Sequence, residues 1–253
     1  MYSYSNFNIL KAVLCMFFFG IVLNVHAQNS FKVTYHISEV KLQGSAENLN
    51  EEGKHFTQQV IDYSKNVNYI LISNQKASYF EAEEGLSKES DSPLEEILSR
   101  MSKRFTSFNT KSYINYEQDS IVFVRNLVGQ DFTVIRECYN FIWSIKKDSK
   151  TILGFEAKKA EGTYHHPVTN KELKVIAWFI PSIPLQSGPD IFTGLPGLIA
   201  EVDLQGAVVT AKQIEPNKSM IIKKVDASKA MSQIEFENVI QSLTKKFDDY
   251  IND

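Results

Sequence analysis

Three groups of side chains in this 253-residue chain are of types that do chemistry. His165-His166 is the one adjacent histidine pair, with Glu161 and Glu172 close by in sequence. Two imidazoles and a carboxylate can hold a zinc ion, and a histidine backed by a carboxylate can act as a general base. Neighbouring residues of an extended strand point to opposite faces, so both histidines reach one metal only if Pro167 turns the segment into a loop. A solvated hairpin tip is the simpler expectation, and no metal site is assigned. Cys138 ends the run Ile135-Arg136-Glu137-Cys138. A nucleophilic thiolate there would want a cationic neighbour and an orienting histidine. A buried structural thiol is expected instead. Glu81, Glu83 and Glu84 form an acidic cluster that an exposed hairpin edge accounts for. A carboxylate pair for glycoside chemistry is defined by distance rather than spacing, so the sequence leaves it open. The chain has no Gly-x-Ser-x-Gly elbow, no phosphate-cradling glycine loop and no His-Glu-x-x-His. No catalytic residue and no cofactor are assigned.

The elements that would position these groups are mostly strands. Phe31–Ile37 alternates apolar and polar residues, the mark of a half-buried strand. Further strands are expected at 69–72, 77–80, 113–116, 121–126, 132–137, 143–146, 152–158, 174–180, 198–204 and 207–214, with turn chemistry at Ser73-Asn74-Gln75-Lys76 and Gln205-Gly206. Short strands without intervening helices pair antiparallel, because parallel neighbours need crossovers. Ser92, Pro93 and Glu95 start a short helix running to Lys103. At the C-terminus Phe236, Val239, Ile240, Leu243, Phe247 and Ile251 fall on one helical face behind a Ser232/Glu235 capping box. The fold class is therefore mainly β (α+β): a curved antiparallel sheet or open half-barrel, with a short inserted helix and an amphipathic C-terminal helix packed on it.

Residues 1–27 read as a cleavable secretory signal: Lys11, an apolar run from Ala12 to Leu23, then small residues at Val25 and Ala27. That run falls short of the roughly 20 residues that span a bilayer as a helix. Lipidation at Cys15 is disfavoured by the bulky Leu14 before it. Residues 28–253 then form a single β-rich domain with no transmembrane segment, an exported protein of the periplasm, the outer-membrane surface or the medium. Cleavage leaves 26 basic against 30 acidic residues, a formal charge of −4, and Cys138 as the only thiol. A core must therefore stabilise the fold without a disulfide. The acidic balance excludes nucleic acid as a partner, since phosphate contacts need a positive footprint.

Four of the seven prolines lie between Pro181 and Pro196. In Ile180-Pro181-Ser182-Ile183-Pro184-Leu185-Gln186-Ser187-Gly188-Pro189-Asp190-Ile191-Phe192-Thr193-Gly194-Leu195-Pro196-Gly197-Leu198-Ile199 the prolines fix φ, remove donors and push their predecessors to extended geometry. A rigid apolar loop is expected, with Pro196-Gly197 at the centre of a type II turn. The hexapeptide Gly194-Leu195-Pro196-Gly197-Leu198-Ile199 resembles the signature of the GLPGLI family, exported bacterial proteins of unknown function. Gly154-Phe155, Lys159-Ala160, Ala177-Trp178-Phe179, Ile183-Pro184 and Gly188-Pro189 resemble that family too, over 143–204. The family pattern often has a cysteine where this chain has Ala157, so no thiol role carries over. The resemblance brings no catalytic residues.

Pro181, Pro184, Gly188, Pro189, Gly194, Pro196, Gly197 and Ile199 are read as the structural frame of this loop. Trp178, Phe179, Ile183, Phe192, Leu195 and Leu198 are read as lining a site for an apolar small molecule, lipid or peptide. The expected function is a non-catalytic binding or envelope protein. Alternatives are a hydrolase with a carboxylate/His site and a structural or assembly factor at the cell surface.

Overall fold

The computed structural model describes residues 30–41, 49–83, 92–139, 141–166, 171–204, 206–217 and 220–252. The signal expected at 1–27, Glu84 and Pro167 lie outside these residues. The strands are β1 (Ser30–Val40), β2 (Asn68–Ser73), β3 (Ala77–Ala82), β4 (Lys111–Asn115), β5 (Ser120–Leu127), β6 (Gln130–Glu137), β7 (Ser144–Ile152), β8 (Phe155–His166), β9 (Lys171–Ile180), β10 (Leu198–Asp203), β11 (Ala207–Asn217) and β12 (Met231–Ser232). The helices are α1 (Glu51–Ser64), α2 (Pro93–Lys103) and α3 (Gln233–Asn252). All strands join one open sheet in the order β12-β6-β5-β4-β3-β2-β1-β11-β10-β9-β8-β7. Pairing is antiparallel except where β12 adds to β6 in parallel, so the expected fold class holds as an open sheet rather than a closed barrel. No helix among the described residues is long and apolar enough to cross a membrane.

Cross-strand partners share a face, so the register locates the core. Val134, Phe123, Ser112, Phe80, Leu71 and Val33 pair in succession from β6 to β1, and all are buried. Four residues beyond Val33, Ile37 continues this face through Val209, Val202, Ala177 and Ala160. The 181–197 loop and α3 cover it. Ile183, Leu185 and Leu198 pack with Val33, Tyr35 and Leu71, while Ile191, Phe192, Leu195 and Phe236 pack with Phe123, Val134 and Ala177. Each such side chain is worth about 1.5–3 kcal/mol when buried.

Both expected capping boxes form. Ser92 accepts from the Glu95 N–H while Glu95 accepts from that of Ser92, and Ser232 and Glu235 repeat the exchange. On α3, Phe236 and Ile240 are buried and Phe236 lies edge-on to Phe123.

Three local readings change. The strand expected over 152–158 is broken by a reverse turn at Leu153-Gly154, where both residues have φ near +50° and +82°. Pro196-Gly197 does not form a type II turn. The Gly197 N–H donates to the Leu195 carbonyl, closing a tighter turn around Pro196, because the Leu198 N–H is already taken by Ile183. Finally, α1 has no counterpart in the sequence reading. Its buried side chains are Val60 and Ser64, and Ser102 of α2 donates to the Val60 carbonyl at 3.0 Å.

Candidate functional site

The loop that carries the signature is folded into the molecule. Gln186–Gly194 doubles back as a small hairpin, with the Gly194 N–H donating to Gln186, the Ile199 N–H to Ser187, and the Thr193 hydroxyl to the Gln186 carbonyl. Close packing explains two of its glycines. A Cβ on Gly197 would lie 2.4 Å from the Ile180 carbonyl oxygen, and one on Gly188 would lie 2.6 Å from the Ile199 Cβ. Pro181, Pro184 and Pro196 are exposed, whereas Pro189 is buried. From outside the loop, Tyr35 donates to the Ile199 carbonyl at 2.7 Å and the Trp143 indole to that of Thr193 at 2.8 Å. Tyr116 lies beside the loop. It donates to Ser78 at 2.9 Å beside Ser187 and Thr193, and burial pushes its phenol up to about 12.

The residues read as a binding surface divide among three places. Phe179, Phe192 and Leu195 belong to one buried cluster, and Ile183 and Leu198 to the other. Trp178 is half-buried, with the Lys150 ammonium 4.5 Å above its ring and held by Glu201 at 2.6 Å. Of these six, Phe192 lines a cavity.

At that cavity the loop places a residue the sequence reading passed over. Asp190 is the single ionisable side chain in residues 175–200, it is 4% exposed, and its φ is +51°. The left-handed conformation costs aspartate less than most residues. It aims the carboxylate at Asn109, whose backbone N–H donates at 3.1 Å and whose side-chain amide donates at 2.9 and 3.1 Å. Arg125 closes the group. Its guanidinium donates to the Ser107 carbonyl at 2.6 Å and to the Asn109 Oδ1 at 3.2 Å. Burial raises the Asp190 pKa above the usual carboxylate range, against the lowering effect of the Asn109 bonds and the Arg125 charge. Ser112 lies beside the carboxylate, and its buried hydroxyl has no hydrogen-bond partner in good geometry.

Around these polar groups the walls are aromatic. Phe108, Phe123, Tyr139, Tyr164, Phe192 and Phe236 enclose an inner void of about 30 Å³, room for a water or two. The rings support one another: Tyr164 stands edge-on to Phe192 at 5.6 Å, and Phe108 edge-on to Phe192 at 6.5 Å. Burial, with the Asp190 charge nearby, pushes the Tyr164 phenol up to about 12. The site can therefore offer a carboxyl, a guanidinium and phenols to one neutral or dipolar group, against apolar walls.

The other chemical candidates lie elsewhere. Cys138 is half-buried, and burial together with Asp119 pushes its thiol up to about 12, which leaves it a poor nucleophile. The backbone carries His165 and His166 as the last residues of β8, paired in register with Glu172 and Lys171. Glu81 accepts from Tyr79 at 2.6 Å, and Glu83 from Asn68 at 2.8 Å. Among the described residues no three His, Cys, Asp or Glu side chains are grouped as metal ligands.

Comparison with known proteins gives a family-model match over part of the chain and two distant structural matches. Two solved structures of PNGF-II, in C2 and P21 space groups, are similar at 15% and 14% identity with a TM-score of 0.48 for each. Each likeness covers 84% of this chain but 33% of that one, so the chain spans about a third of the length of those proteins. No curated protein matches. The model of a family described as a protein of unknown function (Porph_ging) matches residues 158–201, which contain the hexapeptide at 194–199.

Proposed function

We propose that this is an exported, non-catalytic binding protein whose site is the Asp190 cleft, and whose ligand is an apolar molecule or peptide that sets one hydrogen-bonding group against Asp190 and Arg125. The observation that carries the reading is the meeting of a buried carboxylate and an arginine at an aromatic-walled void. Convergent polar groups with shifted pKa values in an apolar recess are the usual makings of a ligand site. Trp178, Phe179, Ile183, Leu195 and Leu198 then serve the site as its rigid support, and Phe192 as its wall. The high pKa of Cys138 favours binding over thiol chemistry.

Two measurements test this reading. Purified residues 28–253 are titrated with a fluorescent fatty acid and with a capped diphenylalanine peptide, alongside an Arg125→Met variant of unchanged melting temperature. Uptake of either probe that Arg125→Met weakens about tenfold supports the cleft. Failure to take up both, or uptake indifferent to the substitution, removes it. Export is tested by fractionating cells that make the full chain and determining the mature N-terminus by mass spectrometry. A start near Gln28 supports the reading, and an intact chain retained in the cytosol overturns it.

A further inference from the structure

The two edges of the sheet are treated differently by the chain. At the β6 edge, residues 220–230 run past β3, where Lys223 reaches Glu81 at 3.5 Å, and deliver β12 onto Val134 and Ile135. The opposite edge, β7, has a neighbour on one side alone, so half of the backbone donors and acceptors in a nine-residue strand have no sheet partner among the described residues.

The chemistry of this edge is one-sided. Residues 144–180 carry seven lysines against four acids, a net +3, in a chain whose formal charge is −3. Lys146 and Lys159 share Glu161, and Lys150 is held by Glu201, but Lys147, Lys158 and Lys174 are exposed and make no ion pair among the described residues. At the start of the strand Ile142 and Ile145 are 80% and 51% exposed. Lysines along an edge guard against self-pairing, because an antiparallel second copy centred on Asp148 would lay Lys146 of each strand against Lys150 of the other. The same Coulomb logic favours a strand of opposite sign.

We infer that β7 is a docking edge for an extended acidic peptide with apolar residues at one end, which adds to the sheet as a thirteenth strand. Backbone hydrogen bonds supply the affinity, Lys147 and Lys158 select for acids, and Ile142 and Ile145 receive the apolar end. This surface is separate from the Asp190 cleft, and its failure would leave the cleft reading standing.

The test uses the whole mature chain and a labelled nine-residue peptide alternating glutamate and valine. Two controls accompany it: the same peptide with lysine for glutamate, and the glutamate peptide N-methylated at every backbone nitrogen, which leaves neither edge able to donate. Anisotropy should show the glutamate peptide binding about tenfold or more tighter than the lysine peptide at low salt, with that advantage shrinking as salt screens the edge. N-methylation should abolish binding, and Lys147→Glu with Lys158→Glu should weaken it about tenfold while circular dichroism stays unchanged. Equal binding of the N-methylated peptide would show a charge contact without strand addition and overturn the inference. So would indifference to the lysine substitutions, or a concentration-dependent dimer that excludes the peptide.

Discussion

Tyr35 donates its hydroxyl to the carbonyl of Ile199 across 2.7 Å, joining residues 164 positions apart inside the protein. The donor lies on β1 and the acceptor is the last residue of the Gly194–Ile199 hexapeptide. This bond ties the proline-rich loop to the middle of the sheet, and burial keeps the phenol protonated by raising its pKa well above the ordinary value. Tyr35→Phe keeps the ring and leaves the Ile199 carbonyl without this donor. A loss of about 1–3 kcal/mol is expected from urea unfolding. A change within error would mean that the carbonyl finds water and the anchor is unimportant.

The glycines of the hexapeptide should separate sharply. A methyl at Gly197 would sit 2.4 Å from the Ile180 oxygen, on backbone that cannot move aside without breaking the turn. Gly197→Ala should cost about 3 kcal/mol or prevent folding. At Gly194 the nearest atom would be 3.7 Å away, and the penalty comes from its φ of +89° alone. Gly194→Ala should cost about 1–2 kcal/mol. Equal penalties in paired thermal melts would contradict this division.

Phe192 and Trp178 test which aromatic residue supports the fold. Phe192 is 2% exposed and touches Phe108, Phe141 and Tyr164, so Phe192→Ala should cost about 3–5 kcal/mol. Trp178 is half-buried under the Lys150 ammonium, and its loss should cost less than that of Phe192. A Trp178→Ala variant less stable than Phe192→Ala would show that the core is centred on the other face of β9.

Cys138 should be inert in the native protein. With its thiol pushed up to about 12, the thiolate fraction at pH 8 is small, and a disulfide reagent should react at least about a hundredfold more slowly than with the unfolded chain. Comparable rates in native buffer and in urea would show that the thiol is open and activated.

What was legible in the sequence were features written in short range. Alternation in Phe31–Ile37, the Ser92/Glu95 and Ser232/Glu235 boxes and the proline-glycine punctuation of 181–197 each depend on residues a few positions apart, and each appears in place except that Pro196-Gly197 closes a tighter turn than the type II turn expected. Helix α1 escaped although Phe56, Val60 and Tyr63 fall on one helical face, because that stripe is short, interrupted by polar residues and preceded by Gly53 in the first turn. The cleft escaped for a different reason. Asn109 and Asp190 are 81 residues apart, and only the folded sheet brings Arg125 to them. One signal was nevertheless present: a lone charge within 26 otherwise non-ionisable residues has to be paired or solvated, and a loop built to be buried cannot solvate it.

That lone carboxyl gives the most direct test of the site. Asp190 has a folded pKa raised by burial, so the native state holds its proton more tightly than the unfolded chain, where the value is about 3.9. Its contribution to stability is therefore greatest below about pH 4 and declines as pH rises through the folded pKa, levelling off above it. Asp190→Asn keeps the shape and removes the titration. The stability of the wild type relative to this variant should fall between about pH 4 and the raised pKa and then stay flat, as read from urea unfolding at a series of pH values. A relative stability that instead grows with pH would show that Asp190 is favoured in its charged form, with Asn109 and Arg125 outweighing burial. The cleft would then hold a settled ion pair, with no polar group left to meet a ligand.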